Sequence, residues 1–260
     1  MEIRIEQEEL LQKSKEFKLF SGPSLTRVFN KTGVAGYEIG TLGSAGLLKY
    51  KDRFFVVTAK HVVTLGNELL PLSDIVIPYK YQGGTNALTL LKQAVDFDGD
   101  IAIFEVAQTS AVFMEQEQNK CFLEDGLINE GPLGYFENKS NVVFLHGISG
   151  EGTDVDYGAF VVDMTTTPYT TFIDRVDEAS QRIVLMADVD GTNEFGQTGH
   201  PLPDFGGMSG SFAYSYQRED TENPFRLLGI LSNGNKEVGF LWVIPISEVV
   251  EILEKEFFGN

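Results

Sequence analysis

The chain has a single cysteine, Cys121, and three histidines among its 260 residues. One thiol excludes an internal disulfide, and so few Cys and His side chains leave no ligand set for a Cys/His structural zinc site. Positive charge is scarce as well: 20 Lys and Arg stand against 38 Asp and Glu, for a formal net charge of −18. Such a surface repels a phosphate backbone and excludes nucleic acid as the expected partner. No apolar run reaches the roughly 18 residues a spanning helix needs, so no membrane association is expected. Residues 1–6 lack the apolar stretch of a secretory signal, and with cysteine so rare the expected compartment is the cytoplasm. What remains is an ordinary globular composition, 42% hydrophobic and 22% charged, which excludes wholesale disorder.

Residues 6–20 mix Glu and Lys with Leu10, Leu11, Phe17 and Leu19, predicting a charged amphipathic helix ahead of the main body. From residue 37 to 106, short apolar runs alternate with Gly, Asn, Asp and Pro, the pattern of a β-rich unit with tight turns. The polar stretch 114–138 reads as a connection. Short β-like runs resume at 141–146, 159–164, 182–189, 211–216, 226–232 and 238–244. About six strands per half, without βαβ alternation, predict an all-β fold of two antiparallel β-barrels. A final helix follows, with Ser247 as its expected cap and Val249, Val250, Ile252 and Leu253 on its apolar side. The expected division is 1–24 for the helical extension, 25–125 and 126–245 for the barrels, and 246–260 for the last helix.

Three segments carry chemistry. In residues 54–63 an apolar strand ends in Thr58-Ala59-Lys60-His61. A rigid strand end suits a general base, provided something fixes the imidazole's tautomer. In residues 96–104 an acidic turn leads through Asp100 into a buried-looking strand, where a carboxylate can accept the imidazole N–H. Gly206-Gly207-Met208-Ser209-Gly210 is a glycine-rich turn that exposes a hydroxyl, with Gly207 and Ser209 as candidate backbone donors to an oxyanion. Gly-x-Ser-Gly alone is weak, since chance gives roughly 0.15 matches in a chain this rich in glycine. A second copy, Gly147-Ile148-Ser149-Gly150, follows His146, but its polar continuation predicts a loop that would not hold a serine rigidly. His146 reads as structural, and His200 as a loop residue.

Together, Thr58-Ala59-x-His61, Asp100-Ile101-Ala102 and Gly207-x-Ser209-Gly210, in that order along the chain, resemble the signatures of chymotrypsin- and trypsin-like serine peptidases. The likeness runs from about residue 40 to 246 and leaves out both terminal helices. It implies two six-stranded barrels, the triad His61, Asp100 and Ser209, and an acyl-enzyme that needs no metal and no cofactor. It also implies a substrate strand laid along Ser232, Asn233 and Gly234, with Gly234 and Gly239 leaving the pocket walls open. Gly43-Ser44-Ala45-Gly46 suits the family's first barrel.

The chain departs from that pattern in three ways. Met208 stands where zymogen-type relatives carry an aspartate, so activation by a freshly cut N-terminus is not expected. Pro203, with Asp204 beside it, occupies the position that selects basic residues in trypsin-like members. The usual cysteines are missing, as in the disulfide-free bacterial and intracellular members. The expected partner is a protein or peptide substrate, with a regulatory protein or the N-terminal helix holding the enzyme in check. The competing readings are a catalytically silent protease fold used for binding and an esterase with the same machinery.

Overall fold

The computed structural model describes residues 7–81, 84–118, 120–129, 131, 142–157, 161–187, 191–192, 198–200, 205–235 and 239–259. The first helix, α1 (Gln7–Ser21), leads into β1 (Leu25–Val34), β2 (Tyr37–Tyr50), β3 (Arg53–Ala59), β4 (Ile75–Val76), β5 (Leu90–Asp96) and β6 (Ile101–Val106). Then come α2 (Gln108–Gln118) and the short β7 (Leu123–Glu124). The second half holds β8 (Val142–Asp156), β9 (Val161–Asp177), β10 (Arg182–Met186), β11 (Phe212–Tyr216), β12 (Phe225–Asn235) and β13 (Phe240–Pro245). The last helix is α3 (Ile246–Leu253).

The halves differ in closure. The second is a closed barrel in the order β8-β9-β10-β13-β12-β11. The first is an open sheet, β4-β1-β2-β3-β6-β5, with β7 added in parallel to β2, so the expectation of a second closed barrel is corrected. The cause lies between β3 and β5. That segment is spent on two small hairpins, Thr64–Leu65 with Glu68–Leu69 and Pro78–Tyr81 with Gly84–Ala87, and only Ile75 and Val76 remain to pair with β1. Helix α2 packs into the core of the first half, with Ala111 and Met114 fully buried in the cluster that holds Ile77, Tyr79 and Leu88. Part of the stretch read as a connection is therefore this helix.

The apolar runs are continuous because most strands are buried on both faces, which removes the alternation of a half-exposed strand. Along β3, Phe54, Val56 and Ala59 enter the core of the first half, while Phe55 and Val57 turn to the opposite side. There they meet Phe144, Phe212, Tyr214 and Ile230 of the barrel wall, and Ile246, Val249 and Leu253 of α3. The barrel interior is filled separately by Val143, Leu145, Met208, Ala213, Leu231 and Val243. Period-2 alternation thus sorts residues 54–57 of β3, and likewise β6, β8 and β11, between the core of their own half and a shared one.

Both terminal helices belong to this shared core. Phe17 of α1 is fully buried, with its ring centroid 5.1 Å from Phe144 and 5.3 Å from both Tyr214 and Phe225. Helix α3 begins at Ile246, one residue before the expected cap. Pro245, extended at φ −60° and ψ 144°, sets its start, and no side chain caps it.

Candidate functional site

Strand pairing brings the first two site residues together. Ala59 at the end of β3 lies opposite Ile101 at the start of β6, so the residues just beyond each strand are neighbours. The Lys60 N–H donates to the Asp100 carbonyl at 2.9 Å, and the His61 N–H donates to Asp100 Oδ1 at 3.0 Å. His61 Nδ1 lies 2.9 Å from Asp100 Oδ2 and 3.2 Å from Oδ1. Asp100 reaches this position with φ +59°, a left-handed conformation that Asp tolerates better than most residues and that is often found at functional sites. Arg182 of the barrel secures the same turn from outside, with Nη2 donating to the Gly99 carbonyl at 2.8 Å and Nη1 bonded to Glu248 of α3 at 2.8 Å.

Ser232 completes the carboxylate's shell. The register between β12 and β13 slips between Leu231 and Asn233, leaving Ser232 as the extra residue of a bulge. Its hydroxyl donates to Asp100 Oδ2 at 2.7 Å, across the boundary between the halves. Burial pushes the Asp100 carboxyl up, the largest single influence on it. The hydrogen bonds from the His61 ring and the Ser232 hydroxyl, the charge attraction of His61 and the hydrogen bond from its backbone together outweigh burial, so the group titrates below its ordinary value. It is therefore a carboxylate at neutral pH.

Ser209 sits on the turn 205–210, held on both sides. Its carbonyl accepts the Ser44 N–H at 3.0 Å, the Gly210 N–H donates to the Leu231 carbonyl at 2.7 Å, and the Ser44 hydroxyl donates to the Gly207 carbonyl at 2.8 Å. Within the turn, the Met208 N–H takes the Phe205 carbonyl and the Ser211 N–H takes that of Met208, each at 3.0 Å. Among the described residues, the N–H groups of Gly207 and Ser209 have no acceptor. Two positions of this turn require glycine. Gly210, at φ +88°, would place a Cβ 2.1 Å from Thr58 Oγ1; Gly207, at φ +85°, would place one 2.8 Å from the Gly150 nitrogen. The Ser209 hydroxyl donates to the Ser232 carbonyl at 3.0 Å, and among the described residues no hydrogen bond joins it to His61.

The remaining expectations divide. Ser232, Asn233 and Gly234 lie on β12; Ser232 bonds to both Asp100 and Ser209, and Asn233 is exposed. Gly234 is backed closely by Phe205 and Leu241: a Cβ there would lie 3.2 Å from Phe205 Cβ and 2.7 Å from Leu241 Cδ2. Gly239 has φ +74°, and its carbonyl accepts the Ala187 N–H at 2.8 Å. Pro203 and Asp204 lie outside the described residues, as does the side chain of His200, whose backbone pairs with Gly191. Met208 is fully buried in the barrel interior. His146 is buried with Nδ1 2.7 Å from Ser21 Oγ.

The loop expected to continue the second copy over 151–156 is instead part of a strand, since β8 runs from Val142 to Asp156. Ser149 lies on β8, where the pairing with β9 is interrupted between Ile148 and Thr153, and the Gly150 N–H donates to the Gly206 carbonyl at 2.7 Å. The motif reading passed over Arg27, gave Ser44 a place only in the first barrel, and assigned Ser232 to substrate alone. For Ser44 and Ser232 the available signal was a polar residue inside an otherwise small or apolar strand. Among the described residues no group of three His, Cys, Asp or Glu side chains gathers as a metal site, and no helix is long and apolar enough to cross a membrane.

No protein-family model and no curated protein matches the chain. Among solved structures, a thermostable serine protease, AL20, from an extremophilic microorganism superposes with a TM-score of 0.53 at 15% identity, covering 93% of this chain and all of that one. The fold is that of a chymotrypsin-like protease. The MamO protease domain of Magnetospirillum magneticum, in its apo form, is more distant, with a TM-score of 0.46 at 12% identity over 89% of this chain and 96% of that one. The ends of β3 and β6 meet β12 and the 205–210 turn where the two halves of the chain adjoin.

Proposed function

We propose that the chain is a serine endopeptidase in which His61 is the general base, Asp100 its orienting carboxylate and Ser209 the nucleophile. The observation that carries this reading is the Ser232–Asp100–His61 chain of hydrogen bonds, at 2.7 and 2.9 Å, beside a serine turn whose Gly207 and Ser209 amides are unspent. With Nδ1 donating to Asp100, the imidazole presents Nε2 as the base. Rotation about the Ser209 Cα–Cβ bond transfers its hydrogen bond from the Ser232 carbonyl to that nitrogen. The proton then passes to His61 as Oγ attacks the scissile carbonyl, and the two amides receive the charge on its oxygen. The imidazolium returns the proton to the leaving amine, and water repeats the sequence to release the acyl group. An extended peptide pairing with β12 at 232–234 is the substrate this geometry suits. An ester would use the same groups.

A second reading is favoured by one observation, the engagement of the Ser209 hydroxyl with Ser232 in place of His61. On this reading the fold binds peptides without cutting them. A fluorophosphonate probe separates the two. The enzyme is expected to label at Ser209, with labelling abolished in Ser209→Ala, lost in His61→Ala and unchanged in Ser149→Ala. Folded wild-type protein that stays unlabelled would establish the binding module. Cleavage of a peptide library by labelling-competent protein then distinguishes endopeptidase from esterase.

A further inference from the structure

Arg27 on β1 is 1% exposed, and its guanidinium lies behind the turn that carries Ser209. Nη1 donates to the carbonyls of Ile148 and Ser149 at 2.9 and 3.0 Å, and among the described residues Nε has no acceptor. No carboxylate among the described residues pairs with it. A Cβ added to Gly207 would lie 3.1 Å from Nη2, so the charge is packed directly against the turn.

In a trans peptide the carbonyl and the N–H point in opposite directions. The Ser149 carbonyl, which accepts from Arg27, shares a peptide unit with the Gly150 N–H, which donates to the Gly206 carbonyl at 2.7 Å. The Gly206 carbonyl in turn shares a unit with the Gly207 N–H, one of the two unspent amides. Guanidinium, peptide 149–150 and peptide 206–207 therefore form one directed chain, whose positive end emerges at the site.

We propose that Arg27 is a positioning residue that acts through these two peptides to aim and polarise the Gly207 N–H. The inference rests on the protease reading for its catalytic consequence, though its geometry stands apart from it. With its carbonyl on Gly150 the 206–207 peptide presents the Gly207 amide to an oxyanion, and the same peptide turned over would point that amide the other way. Arg27 holds Gly150 in place to receive that carbonyl. Each bond in such a chain also strengthens the next, so a buried cation at its head makes the final N–H a better donor. The second Gly-x-Ser-Gly copy thus has a task in which its serine contributes a carbonyl and no hydroxyl chemistry.

Two measurements test this. In wild-type protein labelled with 15N and 13C, a through-hydrogen-bond coupling is expected between the Gly150 nitrogen and the Gly206 carbonyl carbon. Its absence, while Gly210 and Leu231 show theirs, overturns the proposal without any variant. In folded Arg27→Met, the Gly207 amide proton is expected to move upfield. The maximal fluorophosphonate labelling rate is expected to fall about 10- to 100-fold with the probe's half-saturating concentration unchanged. An unmoved Gly207 resonance overturns the proposal whatever the rate does. Wild-type protein that never labels defeats the protease reading alone, because the coupling and the resonance still decide the relay.

Discussion

At the scale of single residues, the candidate site is organised around one carboxylate. Asp100 receives hydrogen bonds from three groups on two halves of the molecule, and they keep it ionised against the pull of burial. Ser232 supplies the one from the barrel. In Ser232→Ala the carboxyl loses a charge-assisted bond of about 1–2 kcal/mol, and the labelling rate of Ser209 is expected to fall about tenfold. The carboxyl's own titration rises toward its ordinary value, visible in the 13C shift of its carboxyl carbon. An unchanged rate and an unmoved titration would reduce Ser232 to a spectator. Asp100→Asn is the harsher change: it permits the wrong imidazole tautomer, for which a loss of about 10⁴-fold is expected.

Among the elements, α1 is a structural member. Its described hydrogen bonds and ring contacts run to Thr170, His146, Tyr216, Arg218, Phe144, Tyr214 and Phe225, and none reaches His61, Asp100 or Ser209. Its C-terminal end is pinned by Ser21 Oγ against His146 of β8. Burial, reinforced by Lys18 and Lys120, holds that imidazole's pKa down to about 4 from its usual 6.5. A depressed histidine stabilises the fold fully above 6.5. As pH falls from there toward 4, the unfolded chain gains a proton that the folded one refuses, so stability declines by about 3 kcal/mol. Urea midpoints measured across that window are expected to drop in wild type. They are expected to drop much less in His146→Asn, and a parallel decline in both would remove His146 as the cause.

For the molecule as a whole, the largest buried cluster among the described residues is shared by the two halves. Phe55 and Ile103 of the sheet, Phe144 and Tyr214 of the barrel, Phe17 of α1 and Val249 of α3 share one cluster. Neither half can retain that surface alone, so the chain is expected to unfold in one cooperative step. Two unique residues provide probes. Trp242 reports on the barrel, and a dye on the exposed Cys121 reports near β7 of the first half. Coincident urea transitions are the expected result, and well-separated midpoints would show that the halves hold their structure independently.

What the sequence determined by itself was local: apolar strands, glycine turns and the order of the His61, Asp100 and Ser209 segments follow from periodicity and backbone sterics, which act between near neighbours. The terminal helices were legible for the same reason, as was His146 as a packed histidine. Tertiary structure decided the rest, because it depends on which distant groups meet. The first sheet stays open because the chain between β3 and β5 folds on itself. Ser149 lies on a strand because β8 runs past the 205–210 turn, and a bulge aims Ser232 at Asp100. A buried arginine beneath Gly207 has no sequence signature at all, since desolvation and hydrogen-bond geometry exist only once residues 27, 149 and 206 are brought together.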